Sequence, residues 1–339
     1  MFNIKEVVLE EEQATLISFL RDYNIDYEWD ITYSIMVYDQ EELIATASLS
    51  NNVMKCFLVK PEYVHNHITN MMFHHLVHIL KEQQITHYFV FTNPFNEEIF
   101  TSLHMKRIVK TMNTVLLEGG EFITDVLQKL KHTYHISSHK KAAVIINANP
   151  MTNGHLYLIE TAAKENKEVL VFVVSEDLSS FPFADRFAII KEACAHLENV
   201  TVLPTLSYLV SKLTFPKYFL KEDQLIQDEQ TLVDVLVYKE FYAKIFHINR
   251  RYLGEEPYSF NTNKYNQVLK DYLGLNVVII PRKEKDHKAI SASLVRQLIK
   301  ADKISKIKEF VPDATVRYLE SEAGKKVIQK IQSSSMGRH

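Results

Sequence analysis

The chain reads Ala142-Ala143-Val144-Ile145-Ile146-Asn147-Ala148-Asn149-Pro150-Met151-Thr152-Asn153-Gly154-His155 where an apolar run passes into an amphipathic stretch. This change of period predicts a strand over 142–148 that turns sharply into a helix over 154–165. The first-turn amides of a helix have no intrahelical partner, and the helix dipole adds positive potential at the same end. The junction is therefore predicted to bind an anion such as a polyphosphate.

Five residues at this junction form the first half of the predicted nucleotide site. A hydroxyl at Thr152 and an imidazole at His155, three positions apart, can reach the same phosphate oxygens. Gly154 has no side chain, so a phosphate can approach the backbone there. Asn149 and Pro150, on the preceding loop, are assigned to the same nucleotide-binding set.

A second motif supplies the other half of the site. Residues Ile290-Ser291-Ala292-Ser293-Leu294-Val295-Arg296 indicate another helix start, with Ser291 as its candidate cap. Two hydroxyls, of Ser291 and Ser293, and the guanidinium of Arg296 are offered together to an anion. Either motif alone is weak evidence for a nucleotide site. The alternative is that Thr152 and Ser291 only cap two helices. The two motifs together favour nucleotide chemistry.

The order of these motifs resembles a known superfamily. A strand, Thr-x-Gly-His, a helix and, about 135 residues later, Ile-Ser-x-Ser-x-x-Arg at a helix start are similar to nucleotidyltransferases that include phosphopantetheine adenylyltransferase. More segments narrow the resemblance to the citrate lyase ligase family over essentially the whole chain. They are Tyr157-Leu158-Ile159, Ser175-Glu176-Asp177, Phe181-Pro182-Phe183-Ala184-Asp185-Arg186, Leu213-Thr214-Phe215-Pro216-Lys217-Tyr218-Phe219-Leu220-Lys221-Glu222, Gly254-Glu255-Glu256-Pro257 and Tyr265-Asn266-Gln267.

The resemblance implies a particular activity and set of partners. An ATP-dependent ligase of this family would activate acetate as acetyl-AMP, with ATP and Mg²⁺ as cofactors and release of pyrophosphate. It would then acetylate the phosphopantetheine thiol of the citrate lyase acyl carrier subunit, which bears a phosphoribosyl-dephospho-coenzyme A group. Two alternatives stay open: an adenylyltransferase of the phosphopantetheine or nicotinamide-nucleotide type, and a non-catalytic carrier-binding protein.

The resemblance also implies roles for single residues. The predicted catalytic residues are His155, Thr152, Ser293 and Arg296. The predicted nucleotide-binding residues are the five of the first motif, Ser291, Ser293 and Arg296 of the second motif, and also Arg186, Lys221 and Glu256. Arg186 and Lys221 could contact a phosphate or be solvated surface charges, and Glu256 could contact the adenosine or end a strand. His155 is expected to be neutral because the helix dipole disfavours its charged form.

Composition excludes several other classes of protein. The 339 residues, 46% of them apolar, suit two domains, and no segment approaches the ~18 uninterrupted apolar residues of a membrane span. A net charge of −3 gives no reason to expect nucleic acid. No G-x-G-x-x-G or P-loop occurs, which excludes the Rossmann dinucleotide and Walker-type sites. With no signal-peptide pattern and two cysteines in apolar contexts, we expect a cytoplasmic protein without a disulfide.

The predicted fold class is α/β, in two domains joined by a linker at 130–141. Over 1–135, strands at 31–37, 43–49, 53–59, 88–92 and 114–117 alternate with helices in an order that resembles the GNAT acetyltransferase fold. This domain is expected to be degenerate, because 61–69 has no glycine to wrap a pyrophosphate. Over 136–333, strands that include 142–148, 169–174, 200–203, 245–248 and 277–280 predict the parallel sheet of a Rossmann-like nucleotidyltransferase domain with C-terminal helices. Residues 334–339 are predicted to be a disordered tail.

Histidines in the first predicted domain raise one further possibility. His74 and His78 lie one helical turn apart and could hold a transition metal. No glutamate follows His74 as in a metalloprotease helix, and no acidic or cysteine ligand is close by in the sequence. A solvated helix face is the preferred interpretation, so no protein-held metal site is predicted.

Overall fold

The computed structural model describes residues 2–64, 66–177, 179–209, 223–255, 260–273, 276–285 and 288–333. These residues fall into two compact units: those within 1–126 and 210–237, and those within 127–209 and 238–339. The domain boundary at 135 stays a prediction, and the predicted tail 334–339 lies outside the described residues. In the part of the chain that is described, no helix has the length and apolar character needed to cross a membrane.

The first unit is built on a seven-stranded mixed sheet. Its elements, up to the helix that leads into the second unit, are β1 (Asn3–Glu6), α1 (Glu10–Asp22), β2 (Tyr33–Asp39), β3 (Glu42–Ser50), β4 (Val53–Val59), α2 (Ile68–Glu82), β5 (His87–Thr92), α3 (Glu97–Ser102), β6 (Lys106–Lys110), β7 (Val115–Gly120) and α4 (Ile123–Thr133). The strand order is β1-β2-β3-β4-β5-β7-β6, and every pair is antiparallel except β4 with β5. The predicted strands and their order are confirmed, while the short strands β1 and β6 were missed.

Successive side chains along each strand point to opposite faces of this sheet, and a hydrophobic core lies on each face. On one face, Ile35 and Val37 pack with Leu76 and other buried residues of α2. On the other face, Met36 packs with Leu16 of α1 and with the buried free thiol Cys56. Each helix therefore covers one face of the sheet with its apolar side.

The second unit contains a parallel sheet. The elements, in chain order, are β8 (Lys141–Ile146), α5 (Asn153–Glu165), β9 (Val169–Val173), α6 (Phe183–Ala193), β10 (Val200–Pro204), α7 (Asp223–Val237), α8 (Ala243–Ile245), β11 (Ile248–Gly254), α9 (Phe260–Leu273), β12 (Val277–Ile280), β13 (Glu284–Lys285), β14 (Lys288–Ala289), α10 (Ala292–Lys300), α11 (Asp313–Glu320) and α12 (Glu322–Ser333). Helix α7 belongs to the first unit, and the short β13 and β14 pair with each other.

The five-stranded sheet has the order β10-β9-β8-β11-β12, and all its pairs are parallel. The predicted α/β fold class is confirmed. One strand was misplaced: residues 245–248 were predicted as a strand, whereas β11 runs over Ile248–Gly254 and Ile245 ends α8. The error arose because Arg250 and Arg251 made a buried strand look polar. All five carboxyl ends lie at one edge of the sheet, which is where ligands bind in such folds.

Candidate active site

The loop after β8 is organised by a hydrogen-bonded pair, Thr152 and His155. Thr152 is 1% exposed and caps α5, and its hydroxyl accepts from the backbone N–H of His155 at 3.4 Å. In return, the backbone N–H of Thr152 donates to Nδ1 of His155 at 3.1 Å. This is a capping box in which an imidazole takes the usual place of Glu or Gln.

The same pair fixes the tautomer of the imidazole. Nδ1 of His155 accepts a hydrogen bond, so in the neutral ring the proton is on Nε2, which is left to donate. Burial and, after it, the positive charge of Arg282 lower the pKa of His155 to about 4. The predicted direction of the pKa shift is confirmed, although its main cause is burial. At neutral pH, His155 is therefore a hydrogen-bond donor without a charge.

This shift predicts how stability depends on pH. The pKa of His155 is about 4 in the folded protein against 6.5 ordinarily, so between these values only the unfolded chain takes up the proton. The stabilisation is complete above pH 6.5 and is lost as the pH falls towards 4. We expect the free energy of unfolding to fall more steeply over this range in the wild type than in His155→Asn, as measured by urea denaturation. Parallel curves would contradict the shift.

The second motif lies beside the first. Ser291 caps α10, its hydroxyl accepting from the backbone N–H of Leu294 at 3.1 Å. Arg296 donates through Nη1 to the backbone carbonyl of Asn149 and through Nη2 to the hydroxyl of Ser293 at 3.3 Å. Burial lowers the pKa of Arg296. The hydrogen bond to the carbonyl of Asn149 joins the two motifs directly, although Asn149 and Arg296 are 147 residues apart in the sequence.

Gly154 is where the two motifs come closest. A Cβ at this position would lie 3.0 Å from the backbone carbonyl oxygen of Ile290, which immediately precedes Ser291. Sequence analysis explained Gly154 by the close approach of a phosphate. The structure gives a second reason, because the carbonyl oxygen of Ile290 lies close to the position that a side chain would take. The glycine permits close packing between the start of α5 and the segment that leads into α10.

Replacing Gly154 by alanine is expected to separate these segments by a few tenths of an ångström. The helix propensity gained, about 0.5–1 kcal/mol, offsets much of a steric cost of about 1–2 kcal/mol, so unfolding should change by no more than about 1 kcal/mol. Because a displaced site loses pre-organisation, kcat/KM should fall at least about tenfold. The control is Lys164→Ala, which changes an exposed residue in the last turn of the same helix. Equal activities for both variants would refute this explanation.

Arg186 is buried beneath the site. It is 1% exposed and donates to the backbone carbonyls of Phe181 at 3.0 Å, Asn147 at 2.9 Å and Val174 at 2.8 Å. It also donates to the carbonyl of Glu176 at 2.6 Å. The surface-charge alternative is therefore wrong. The geometry favours a positioning role over the predicted phosphate contact, because these bonds fix the loops that follow β8 and β9.

Three features of this site were missed by sequence reasoning. The backbone N–H of Asn153 donates to the carbonyl of Phe310 at 2.8 Å, and the hydroxyl of Thr315 donates to the carbonyl of Met151 at 3.0 Å. Arg282, after β12, brings a positive charge that affects His155, and its Nε donates to the carbonyl of Glu255 at 2.9 Å. The only signal for Arg282 was that a cation follows a strand of the parallel sheet.

Four predicted positions remain, two on the loop after β8 and two outside the described residues. The side-chain oxygen of Asn149 accepts from the backbone N–H of Phe181 at 3.1 Å, and Pro150, which follows a cis peptide bond, is buried. Lys221 and Glu256 lie outside the described residues. Within the described ranges, no group of three or more His, Cys, Asp or Glu side chains is arranged to hold a metal ion.

The parallel sheet, the capped Thr-x-Gly-His turn at its carboxyl edge and the adjacent Ser-x-x-Arg motif define a protein of the nucleotidyltransferase fold. The family described as the citrate lyase ligase C-terminal domain matches residues 141–319. The chain belongs to the citrate lyase ligase family, and it is a ligase enzyme.

Relatives resemble the chain over most of its length. It is 31% identical to the [citrate [pro-3S]-lyase] ligase of Klebsiella pneumoniae, over 89% of this chain and 90% of that protein. It is 30% identical to the enzyme of the same name from Haemophilus influenzae, over 93% and 98%. By contrast, the 43% identity to phosphopantetheine adenylyltransferase of Actinobacillus pleuropneumoniae covers only 15% of this chain and 34% of that protein. Among solved structures, Escherichia coli ElaA matches 35% of this chain and 99% of its own, with 10% identity and a TM-score of 0.31.

Proposed function

We propose that this ligase activates acetate with ATP and transfers the acetyl group to the acyl carrier subunit of citrate lyase, thereby activating that enzyme. The observation that carries the proposal is a neutral His155, whose Nε2–H is left to donate, at the N-terminus of α5. The second motif meets the same loop, because Arg296 donates to the carbonyl of Asn149. The names of relatives that match about nine-tenths of the chain supply the identity of the target.

The first half-reaction needs placement and charge stabilisation. A carboxylate oxygen of acetate attacks the α-phosphorus of ATP, the bond to the bridging oxygen breaks, and pyrophosphate leaves with the electron pair. The products are acetyl-AMP and pyrophosphate, without a covalent enzyme intermediate. Nε2–H of His155 and the first-turn amides of α5 would donate to the α- and β-phosphates. The hydroxyl of Thr152, predicted to contribute as well, already accepts from the backbone N–H of His155 and orients the ring.

The second motif would receive the leaving group. Arg296 brings a positive charge that is half-buried and hydrogen-bonded to Ser293, so it is oriented before the substrate arrives. Hydroxyls of Ser291 and Ser293 would donate to the outer phosphates. Gly154, Asn149, Pro150 and Arg186 would act by holding the two motifs in place.

The residues present suit a polyphosphate better than a protein-held metal. Cationic and neutral donors converge at the site, and the described residues offer no acidic cluster for a metal. Mg²⁺, when bound with ATP, would neutralise phosphate charge while held mainly by phosphate oxygens and water. Contacts of Lys221 with phosphate and of Glu256 with adenosine stay predictions.

The second half-reaction uses the carrier. The thiolate of its phosphoribosyl-dephospho-coenzyme A group attacks the acetyl carbon of acetyl-AMP, a thioester forms, and AMP leaves. We propose that the first unit docks this carrier and does not itself transfer acetyl groups. The segment before α2 supports this view: Pro61–Tyr63 form a 3₁₀ turn, and His67 holds a left-handed conformation (φ 57°) with a full side chain. The sequence has no glycine over 61–69, and a pyrophosphate approaches backbone amides less easily where every residue carries a side chain.

The proposal is tested by acetate-dependent exchange of labelled pyrophosphate into ATP, with Mg²⁺ and without the carrier. We expect exchange that requires acetate. When the carrier is added, AMP, pyrophosphate and acetylated carrier should form in equal amounts. If exchange needs neither acetate nor carrier, or if no acetylated carrier forms, the proposal fails.

An adenylyltransferase remains the second candidate, because the local identity to phosphopantetheine adenylyltransferase reaches 43% over 54 residues. Product analysis separates the two candidates. A ligase yields free AMP, whereas an adenylyltransferase leaves AMP joined to its acceptor.

A further inference from the structure

Helix α11 reaches the first motif through one buried hydroxyl, that of Thr315. This residue lies in the first turn of α11, where its backbone N–H donates to the carbonyl of Pro312 at 2.9 Å. Its side chain is fully buried, and the hydroxyl donates to the carbonyl of Met151 at 3.0 Å. The two residues are 164 positions apart in the sequence. Thr315 is therefore joined to the loop that carries the first motif.

The carbonyl of Met151 and the backbone N–H of Thr152 belong to the same peptide group. A trans peptide group is planar, and its C=O and N–H point in opposite directions. The N–H of Thr152 donates to Nδ1 of His155 at 3.1 Å. Two hydrogen bonds and one peptide plane therefore form a continuous path from the hydroxyl of Thr315 to the imidazole of His155.

The backbone N–H of Thr152, and not its hydroxyl, selects the tautomer of the imidazole. The hydroxyl lies 2.9 Å from Nδ1 of His155, and because a hydroxyl can donate or accept, it can pair with Nδ1 in either tautomer. A backbone N–H can only donate, so it pairs with Nδ1 only when the ring proton is on Nε2. The direction of this N–H therefore decides which nitrogen carries the proton.

Thr315 can fix that direction because α11 is itself held in place. The hydroxyl of Tyr318, one turn further along α11, donates to a carboxylate oxygen of Asp185 on α6 at 2.7 Å. The centre of the Tyr318 ring also lies 5.8 Å from that of Phe181. A donor anchored in this way restricts rotation of the peptide group. It also polarises the carbonyl, which makes the N–H of the same peptide a stronger donor.

We propose that Thr315 is a positioning residue for His155. Its hydroxyl, acting through the peptide group between Met151 and Thr152, keeps the proton of the imidazole on Nε2. The inference rests on the proposed function, in which Nε2–H donates to the phosphates. Thr315 itself does not touch the substrate, so its loss should change the tautomer and the rate more than the affinity for ATP.

The test replaces Thr315 by valine, which keeps the shape of the side chain and removes the hydroxyl. Serine at the same position keeps the hydroxyl and is the rescue variant. The matched control is Thr46→Val in the first unit, because Thr46 is equally buried and its hydroxyl donates to the carbonyl of Ile35 at 2.8 Å. Circular dichroism melts establish which variants fold, and alanine replaces valine at both positions if valine prevents folding.

The first measurement is of the tautomer, by nitrogen NMR of the full chain labelled with ¹⁵N at histidine. The signals of His155 are assigned by their absence from His155→Asn. We expect the wild type, Thr315→Ser and Thr46→Val to hold the proton on Nε2, and Thr315→Val to show a mixture of both tautomers. This result does not depend on which reaction the protein catalyses. A ring that keeps its proton on Nε2 in Thr315→Val overturns the proposal.

The second measurement is acetate-dependent exchange of labelled pyrophosphate into ATP. We expect kcat to fall about tenfold in Thr315→Val, with KM for ATP within about twofold of wild type, because a misdirected donor weakens transition-state binding most. Thr315→Ser and Thr46→Val should stay within about twofold, since the first keeps the donor and the second is not joined to the site. Equal rates in Thr315→Val and Thr46→Val overturn the inference but leave the proposed function standing. Exchange that does not require acetate contradicts the proposed function, and the tautomer then decides the role of Thr315.

Discussion

Replacing His155 by alanine is expected to slow acetate-dependent exchange of pyrophosphate into ATP by about 10²–10³-fold. This is the usual loss when one pre-organised donor is removed from a developing charge. The donor in question is Nε2–H, since Nδ1 already accepts from the backbone N–H of Thr152 at 3.1 Å. Because burial keeps the ring neutral at pH 7, the loss should be the same at pH 6.5 and at pH 8.

Two further substitutions separate the two nitrogens of this ring. Asparagine at 155 can place an oxygen near the position of Nδ1, so the cap of α5 persists, but it has no donor at the position of Nε2. Glutamine can reach the position of Nε2 with its amide N–H. We expect His155→Asn to be as slow as His155→Ala while it melts close to wild type, and His155→Gln to recover part of the rate.

The control for these variants is His196→Ala. His196 has a side chain that is 55% exposed and pairs with Glu160 at 3.3 Å, away from both motifs, so its loss should leave exchange within about twofold. The outcome that would refute the role of His155 is an asparagine variant that exchanges at the wild-type rate.

Replacing Arg186 by methionine is expected to lower the free energy of unfolding by about 3–5 kcal/mol. Methionine fills much of the volume but donates nothing, so the carbonyls of Asn147, Phe181, Val174 and Glu176 lose their shared donor. Each buried acceptor left without a partner costs about 1–3 kcal/mol. Against a typical total of about 5–15 kcal/mol, the loss is large.

The measurement is urea denaturation of Arg186→Met beside Arg317→Ala. Arg317 forms an ion pair with Glu192, with side chains 61% and 51% exposed, and such pairs contribute at most about 1 kcal/mol. A loss in Arg186→Met no greater than in Arg317→Ala would show that Arg186 does not hold the loops. Nucleotide affinity, measured where the variant remains folded, should fall as well, because the loops it holds carry the first motif.

Much of the second unit followed from local patterns. The apolar run before Asn149 and the Thr152-to-His155 spacing are short-range features, and the chemistry of a helix cap depends on residues three apart. The strand, the turn and the start of α5 could therefore be predicted. The same holds for Ser291 as the cap of α10. That these residues bind ATP stays a prediction.

Charged residues inside the fold could not be assigned from sequence alone. Arg186 looked like a phosphate ligand or a surface charge, because its four carbonyl partners come from three separate stretches of chain. Arg251, which is 3% exposed, hid a buried strand because a charged residue in a short apolar run looks like a surface residue. A local sequence pattern shows that a residue is charged, but it does not show which hydrogen-bond partners the residue will have in the folded protein.

The sequence by itself determined the α/β class, the family and the two motifs, since each depends on spacing along the chain. Only the tertiary structure decided that Arg296 donates a hydrogen bond to the carbonyl of Asn149. The same is true of the close approach between Gly154 and the carbonyl of Ile290. It is also true of the positive charge of Arg282, which helps to lower the pKa of His155. The tertiary structure also decided that α7 belongs to the first unit, where Thr111 and Asn113 donate to its buried Glu229. Such contacts join residues more than a hundred positions apart. Their geometry is set by how sheets and helices pack, and no local period encodes it.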